Sequence, residues 1–434
     1  MTKFNKTLLA AAVALASTQT FAAGFQLNSQ SATGLGRAMA GDAIIADNAS
    51  VLARNPAAMA LFDKTAISVV GTYADVNVEV TDAMIGDGSG DGQYLGAMDN
   101  AAEGKPIPSF YYINPINDKW AFGVAAFSNY GTGTDLAPLN SGHDINTPID
   151  LLGNTEVTTI NFNASVSYRI NDSLSLGLGI DAIKGMGTLT RQGNYTFSTP
   201  IGDLPADLDL VNIDADGWGF GAIFGLAYEI NENNRIGLSY RKSPNMKASG
   251  DITFGQDINL GNIPLMVAEN FDEIDIPLAD IAQLAGFHQL TDKFAIHYTA
   301  QWTSWSNFDN IELTDGDKGS DSYILKHYNW DDSWFLSLGA TYDINDKWTV
   351  RAGIAKDQGV VGEVSSLSIP DSDRMWYSAG FSYHINEKSS IDFGYTLVAG
   401  EKVHVIEDSL LTPSIGAYTE SGANYYSLQY NYTF

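Results

Sequence analysis

The last eleven residues of the chain alternate between two kinds of side chain. One face, from Tyr426 to Phe434, carries aromatic residues and a leucine, whereas the opposite face, from Tyr425 to Thr433, is mostly polar. Successive side chains of a β-strand point to opposite faces, so this segment predicts a strand with one apolar and one polar side. Such a strand suits a membrane barrel, between lipid and a polar interior, and it also suits a half-buried position in a soluble β-sandwich.

The start of the chain has the features of a secretory signal peptide over residues 1–22. Lys3 and Lys6 provide a basic beginning, residues 8–16 form a short apolar run, and small residues precede a cleavage site after Ala22. No later stretch reaches the ~18 consecutive apolar residues that a transmembrane helix needs. If this exported chain spans a membrane, it must do so as strands, which predicts the bacterial outer membrane as its location.

The chain is strongly acidic, with a formal net charge of −28, and it contains no cysteine. The acidic residues are concentrated between the apolar segments, as in residues 82–99 and 309–321, which is typical of solvated outer loops. This charge argues against nucleic acid as a partner, because the phosphate backbone is also negative. A closed barrel needs no disulfides, since its strands are paired all around the ring.

Alternating segments recur along the chain, for example over residues 160–170 and 334–342, and each is near the ~9–11 residues of a tilted transmembrane strand. Six short breaks contain Asn or Thr beside an acidic residue, which suits tight turns. Seven long breaks lie between them, at residues 81–106, 131–153, 192–212, 250–274, 310–329, 358–373 and 401–420. Thirteen connections predict an all-β fold, a barrel of fourteen antiparallel strands with both ends on the short-turn side.

Residues 23–62 precede the first alternating segment and show no period-two pattern. This stretch is far longer than an ordinary connection of ~4–6 residues, and it contains enough apolar side chains to pack, including Leu35, Met39 and Leu52. Fourteen strands enclose a space that other residues have to fill. We therefore predict a signal peptide over residues 1–22, a hatch inside the lumen over residues 23–62, and a transmembrane barrel over residues 63–434.

Motifs for catalysis or cofactor binding are incomplete in this chain. Residues 34–39 begin like a dinucleotide fingerprint but have methionine where the third glycine belongs, and residues 87–98 begin like a calcium loop but end in methionine instead of glutamate. The histidines lack metal-ligand spacing, although Ser382 beside His384 could begin a hydrolase site. We expect no enzyme activity, no catalytic residues, no cofactor and no metal.

Four segments of the chain form a recognisable pattern. Three are N-terminal, Ala23-Gly-Phe-Gln-Leu27, Gly34-Leu-Gly-Arg37 and Arg54-Asn-Pro-Ala57, and the longest reads Ser368-Ile-Pro-Asp-Ser-Asp-Arg-Met-Trp376. Together they resemble the outer-membrane long-chain fatty acid transporters, the FadL family, over essentially the whole mature chain. The resemblance implies a fourteen-stranded barrel with an N-terminal hatch, through which hydrophobic compounds pass inward.

The resemblance assigns a binding role to two cations. Arg191 stands where the family places a lumen cation for the carboxylate of a fatty acid, and Lys326 matches a second such cation. A carboxylate that leaves water needs charged partners, and an arginine can bind it with two hydrogen bonds. The alternative for either residue is a charge at the barrel rim that extends into solvent.

The resemblance also assigns residues to the hatch and its gate. Gly24 and Phe25 match N-terminal residues that lie against the bound alkyl tail, and Asp357 is expected near them. A hatch motif expected to couple to a kink in the third strand, near residues 122–127, consists of Asn55, Pro56 and Ala57. The loop at residues 192–212 is shorter than the resemblance leads us to expect for an outer capture groove.

The resemblance implies passive uptake of long-chain fatty acids by a monomer, with outer-membrane lipid receiving the product. Uptake of neutral or aromatic hydrocarbons through the same architecture is an alternative, because paired cations favour an acid without excluding a neutral compound. A general diffusion porin for polar solutes is a second alternative, although its hatch would have to move.

Overall fold

The computed structural model describes residues 24–86, 92–140, 149–200, 202–362, 366–408 and 414–434. The predicted signal peptide lies outside these residues, as do residues 87–91 at the start of the calcium-like segment. Within the described part of the chain, no helix combines the length and the apolar character that crossing a bilayer requires.

Fourteen antiparallel strands close into a barrel, as predicted. Several strands consist of two segments separated by a bulge or a short excursion. The strands are β1 (Ala66–Ile85), β2 (Gln93–Met98 and Lys105–Pro115), β3 (Trp120–Phe127 and Gly131–Asp135), β4 (Asn154–Asn171), β5 (Leu174–Thr199), β6 (Gly202–Asn231), β7 (Asn234–Lys242 and Asn245–Phe254), β8 (Glu269–Pro277 and Ile281–Thr291), β9 (Phe294–Thr303 and Asn310–Gly316), β10 (Ser322–His327 and Ser333–Asn345), β11 (Trp348–Asp357), β12 (Arg374–Asn386), β13 (Ser389–Gly400 and Val403–Glu407) and β14 (Ile415–Thr433).

The ring closes between the first and the last strand. β1 pairs with β14 from Ala66 opposite Thr433 to Ile85 opposite Ile415. The two faces of β14 separate as the sequence predicts, because Leu428 is 59% exposed on the outside whereas Ser427 is 1% exposed on the inside. At this end of β14 the outer surface therefore presents apolar side chains to lipid, and the inner face is polar.

The extent of the long loops was predicted wrongly at several places. Residues 192–212 are not a loop, because β5 continues to Thr199 and β6 begins at Gly202. The extension of β6 alternates with the opposite polarity, because its acidic residues such as Asp207 and Asp209 face outward to water whereas Leu208 and Leu210 are buried inside. Its acidic composition is therefore that of a solvated loop, although its backbone is a paired strand. Smaller elements complete the outer end, namely a hairpin of Ile258–Leu260 with Ile263–Met266 and 3-10 helices at Ala137–Asn140 and Trp305–Asn307.

The N-terminal hatch fills the lumen. It contains a short helix α1 (Ala32–Leu35) and two 3-10 helices, Ala49–Ala53 and Pro56–Leu61, and nearly all of its side chains up to Met59 are buried. The side chains of Ser31, Asn48 and Asn55 cap the three elements by accepting hydrogen bonds from backbone N–H groups. These caps satisfy donors that helices this short cannot satisfy internally.

Ion pairs connect residues within the hatch and link the hatch to the barrel wall. Arg37 forms ion pairs with Asp42 at 2.9 Å and Asp47 at 2.8 Å, and Asp47 lies 3.5 Å from Arg351 of β11. Burial raises the pKa of the Asp47 carboxyl, but the two guanidinium groups lower it by more, so the pKa lies below its usual value. Asp47 is therefore an ionised link between the hatch and the barrel.

Candidate substrate-binding site

An apolar cavity of about 60 Å³ lies in the outer half of the lumen. Its lining residues are mostly small and aliphatic and come from β4 to β9; Glu156, several threonines and Phe308 are also among them, and Phe25 of the hatch lies against the cavity. The cavity is smaller than a long alkyl chain, so a ligand of that kind has to push side chains apart. Met186 and Met246 are in the wall, and their unbranched side chains change shape easily.

Arg191 adjoins this cavity through Thr155, which lines the cavity and accepts a hydrogen bond from Arg191. Its guanidinium donates to the carbonyl oxygens of Asn154 at 2.9 Å and Thr190 at 2.8 Å through Nη1. Through Nη2 it donates to the hydroxyls of Thr155 at 2.9 Å and Ser368 at 2.8 Å. All four acceptors are neutral, and a hydroxyl that accepts a hydrogen bond can still donate its own proton. Arg191 and the two hydroxyls thus place several donors around one point beside an apolar wall.

Lys326, the second predicted cation, has a different environment. Its Nζ forms an ion pair with Glu407 and donates to the hydroxyl of Ser366 at 2.9 Å. It also lies 5.2 Å from the centre of the Tyr328 ring, where the negative face of an aromatic ring attracts a cation. Lys326 therefore already has a carboxylate partner in this structure, whereas Arg191 does not have one among the described residues.

One segment of the β11–β12 connection joins the two cations. Ser366 binds Lys326 and Ser368 binds Arg191, so both cations hold the same stretch of backbone. Thr134 of β3 donates to the Ser368 carbonyl oxygen at 2.6 Å, and the next residue, Ile369, lines the apolar cavity. The predicted cations thus meet at this segment and not at a direct contact with each other.

Phe25 is enclosed by aromatic side chains at the inner end of the cavity. Its ring lies 4.7 Å from that of Trp305 and 5.2 Å from that of Phe308, both in edge-on contact. Gly24 adopts a φ of +62°, and a Cβ at this position would meet Trp305 and Trp330 at 2.8 Å. Glycine is therefore the residue that allows the N-terminal end of the hatch to reach this position.

Asp357 is connected to Gly24 through Asp371 and Arg374. The carboxylate of Asp371 accepts a hydrogen bond from the Gly24 backbone N–H and forms a buried ion pair with Arg374, on which Asp357 also acts electrostatically. Asp357 is itself buried at the end of β11, opposite Arg374. The negative charge of Asp357 thus stabilises the positive charge of Arg374, which in turn pairs with Asp371, the residue that binds Gly24 of the hatch.

A bulge interrupts β3 after Phe127. Phe127 pairs with Asn161 and Gly131 with Thr158, so residues 128–130 of β3 are opposite only two residues of β4. The extra residue bends β3 inward, where the hatch binds it: Leu27 N donates to Asn129 O at 2.7 Å and Gly131 N to Phe25 O at 2.8 Å. The predicted kink therefore exists, slightly beyond the expected residues 122–127.

The bulge leaves a gap in the wall between β2 and β3. β2 pairs with β1 from Lys105 onward, but its pairing with β3 extends only from Phe110 to Pro115. Pro106 and Pro108 pair with β1 but lie in the part of β2 that has no partner in β3, where an edge tolerates a residue without an N–H donor. The outer segment of β3 that faces the gap, Gly131–Asp135, has small side chains. The wall therefore lacks a continuous backbone ladder between β2 and β3 next to Phe25, and we call this stretch the side opening.

The hatch motif of Asn55, Pro56 and Ala57 begins the 3-10 helix Pro56–Leu61, which packs against β3 as well as against β4, β5 and β6. The Asn55 side chain donates to Ala43 O at 2.8 Å and to Leu226 O of β6 at 3.0 Å. A Cβ at Gly225 of β6 would come within 2.0 Å of Asn55 Oδ1, so the wall needs a glycine there. The side-chain hydrogen bonds of Asn55 thus go to Ala43 and β6, whereas the helix that follows reaches β3 through Met59, which lies 2.7 Å from the position of a Cβ at Gly123. The coupling of this motif to the kink stays a prediction.

Beneath the hatch, a polar vestibule of about 780 Å³ opens toward the short-turn end. Asp47, Arg351 and His297 are among its lining residues, and the hatch lies between it and the apolar cavity. Ser382 and His384 near this end do not form a hydrolase pair, because they do not bond to each other. The Ser382 hydroxyl donates to the Asp392 carboxylate, and His384 Nε2 lies 3.2 Å from the hydroxyl of Thr349.

Comparison with known proteins places this architecture in a family. The family model described as "Outer membrane protein transport protein (OMPP1/FadL/TodX)" matches residues 13–434. The chain belongs to the OMPP1/FadL/TodX family. The predicted family, the barrel with its hatch and the outer-membrane location are thereby confirmed.

Relatives of the OMPP1/FadL/TodX protein cover its whole length. A long-chain fatty acid transport protein of Escherichia coli O6:H1 is 35% identical, and outer membrane protein P1 of Haemophilus influenzae is 36% identical; both matches cover 100% of this chain and at least 99% of the relative. The crystal structure of a Pseudomonas aeruginosa FadL homologue has a TM-score of 0.78 at 24% identity and covers 95% of this chain and 100% of that chain. The Pseudomonas putida toluene transporter TodX has a TM-score of 0.64 at 17% identity, over 89% of this chain and 94% of that chain.

Three residues that bind the two cations, Glu407, Ser366 and Ser368, were not predicted from the sequence. Glu407, the partner of Lys326, lies on a strand far away in the chain, and no local pattern distinguishes it from the other acidic residues. Ser366 and Ser368 belong to a connection without period-two pattern, although Ser368 begins the longest segment of the family resemblance. That resemblance was the available signal for this connection.

Proposed function

We propose that this protein carries long-chain fatty acids inward across the outer membrane by diffusion. The observation that supports this most is Arg191, a buried guanidinium at the edge of an apolar cavity, for which the described residues supply no carboxylate within 4.0 Å. A fatty acid provides the missing charge and an alkyl chain for the apolar wall. The names of the curated relatives, long-chain fatty acid transport protein, agree with this substrate class.

The proposed route follows the cavity from the outer end toward the side opening. The carboxylate binds at Arg191 and beside Lys326, and the tail extends along the apolar wall toward Phe25. Movement of Gly24 and Phe25 then connects the cavity with the gap between β2 and β3, through which the acid leaves into the bilayer. Partition of the alkyl chain favours this direction by ~0.8 kcal/mol per CH₂ group buried, so no energy source or cofactor is required.

The proposal includes the processing and the state of the protein. Residues 1–22 act as a cleaved signal peptide, residues 23–62 as the hatch and residues 63–434 as the transmembrane barrel. The barrel works as a monomer, because cavity, gate and side opening all belong to one chain. Its partners are the hydrophobic substrate and the outer-membrane lipid that receives it, and not nucleic acid.

Uptake of neutral or aromatic hydrocarbons is the second candidate. The cavity wall away from Arg191 is apolar, and Lys326 is already paired with Glu407, so a compound without charge could bind there. One structure that shares this fold is a toluene transporter by name. A diffusion porin has less support, because the hatch lies between the apolar cavity and the vestibule.

Uptake by cells that lack their own fatty acid transporter tests the proposal. Cells that produce this protein should accumulate radiolabelled oleate, and Arg191→Ala should reduce that uptake by at least about tenfold, since a charge-assisted hydrogen bond contributes ~1.5–3 kcal/mol. Uptake of toluene should be unaffected by the substitution. Accumulation of toluene without oleate would instead favour the second candidate.

Deletion of Asn129 tests the side opening. Removing one residue makes the numbers of residues in β3 and β4 equal, so β3 can pair without a bulge and close the gap. We expect the variant to bind oleate in detergent like the unaltered protein but to lose oleate uptake in cells. Unchanged uptake would mean that the acid does not leave between β2 and β3.

A further inference from the structure

We infer that Glu407 is an internal carboxylate that occupies Lys326 while the headgroup site is empty, and that an incoming fatty acid competes with it. The inference rests on the proposed function, because it concerns how the same site regulates binding. It assigns a new role to a residue outside the predicted cation pair.

Both carboxylate oxygens of Glu407 have a partner that fixes the side chain. It ends the outer segment of β13 and is 4% exposed. Oε1 forms the ion pair with Lys326, and Oε2 accepts a hydrogen bond from the Leu367 backbone N–H at 2.6 Å. Glu407 thus takes the place beside Lys326 that a ligand carboxylate would need, and it holds the same segment that carries Ser366 and Ser368.

The charges around the site make competition the expected result. Arg191 and Lys326 are the two cations, Glu407 is the buried carboxylate, and Asp150 acts on both cations from a half-exposed position. A ligand that brings a second buried carboxylate meets repulsion from Glu407 before it reaches Lys326. It therefore binds Arg191 first and gains Lys326 only if Glu407 moves or loses its charge.

An internal carboxylate serves a transporter because the site must also release its ligand. A buried lysine without a partner is costly, so an empty site that lacked Glu407 would favour a bound anion strongly. With Glu407 present, Lys326 regains a partner as the acid departs. The ion pair therefore lowers the affinity of the site for acids in particular and leaves its affinity for neutral compounds unaltered.

The decisive experiment compares Glu407→Gln with the unaltered protein in detergent, with oleate and methyl oleate as probes. Glutamine keeps the shape and can still accept from Leu367 N–H, but it removes the competing charge. We expect oleate to bind about tenfold more tightly, which corresponds to about 1.4 kcal/mol, and methyl oleate to bind as before. Glu401→Gln, at an exposed position near the start of the same outer segment, is the matched control and should change neither affinity.

A second pair of variants tests the same inference without relying on an increase in oleate affinity above that of the unaltered protein. Lys326→Ala leaves Glu407 buried without its cation, so the affinity for oleate should fall. Adding Glu407→Gln to this variant should raise its affinity for oleate at least tenfold. If Glu407→Gln binds oleate no more tightly while Arg191→Ala still weakens it, the inference about Glu407 is wrong and the headgroup site stands. If neither Arg191→Ala nor Lys326→Ala alters oleate binding, the proposed headgroup site fails and the inference fails with it.

Discussion

Replacing Arg191 by alanine is the sharpest test of acid recognition at this site. In the structure the guanidinium makes four hydrogen bonds to neutral oxygens, and Nη2 and the hydroxyls of Thr155 and Ser368 can turn toward a carboxylate. Each charge-assisted bond contributes ~1.5–3 kcal/mol, so the loss of the guanidinium should weaken oleate binding by roughly ten- to a hundredfold. Because Lys326 is held by Glu407, it cannot replace Arg191 fully.

The assay is titration of the purified, folded protein with oleate and with methyl oleate. The ester has the same tail but no charge, so its affinity should differ little between Arg191→Ala and the unaltered protein. Arg169→Ala is a matched control, because Arg169 pairs with Glu229 at the short-turn end, away from the cavity. Equal losses for acid and ester would refute headgroup recognition and point to damage of the cavity wall, and an unchanged oleate affinity would place the carboxylate elsewhere.

Three further predictions concern the hatch. Phe25→Ala should connect the cavity with the β3 bulge and raise the initial rate of oleate uptake severalfold; a lower rate would mean that Phe25 guides the tail and does not block it. Gly225→Val should displace Asn55 and Pro56 and raise the ion conductance of the barrel in planar bilayers, whereas Gly71→Val, where a Cβ meets no atom within 4 Å, should leave the conductance unchanged. The pKa of Asp47 lies below 3.8 in the folded protein, so its ion pairs stabilise the hatch above pH 3.8 and are lost as the pH falls through the folded pKa. Conductance should therefore rise reversibly in acid, and Asp47→Asn should show the higher conductance already at neutral pH; an acid response that this variant retains in full would assign it to other groups.

The barrel could be predicted from the sequence because lipid and lumen impose opposite demands on alternate residues. That signal gives the strand number and the faces of segments such as β14. Above the membrane, where β5 and β6 continue as paired strands, the outer face of β6 is acidic and its inner face apolar, so the same signal no longer distinguishes a strand from an acidic loop. The length and apolar content of residues 23–62 indicated a plug for the same reason: an enclosed space has to be filled.

Contacts across the lumen could not be predicted in this way. Pairing of Lys326 with Glu407, and of Asn55 with Leu226, depends on the register and stagger of strands far apart in the chain, which no local pattern encodes. Arg191 and Lys326 were found through the family resemblance, and periodicity alone would have left them as rim charges. The need for glycine at position 225 could not be predicted from the sequence either, because it comes from the close approach of Asn55 in the hatch.

The closure of the ring between β1 and β14 determines the order in which the molecule can be assembled. The hatch precedes β1 in the chain, and the strand that seals the barrel is the last one to be made. A segment folded as tightly as α1 and its neighbours cannot thread into a finished ring whose lumen it fills. The sheet must therefore form around the hatch before β1 and β14 pair. The hatch is then a template for the inner wall during assembly and a gate afterwards.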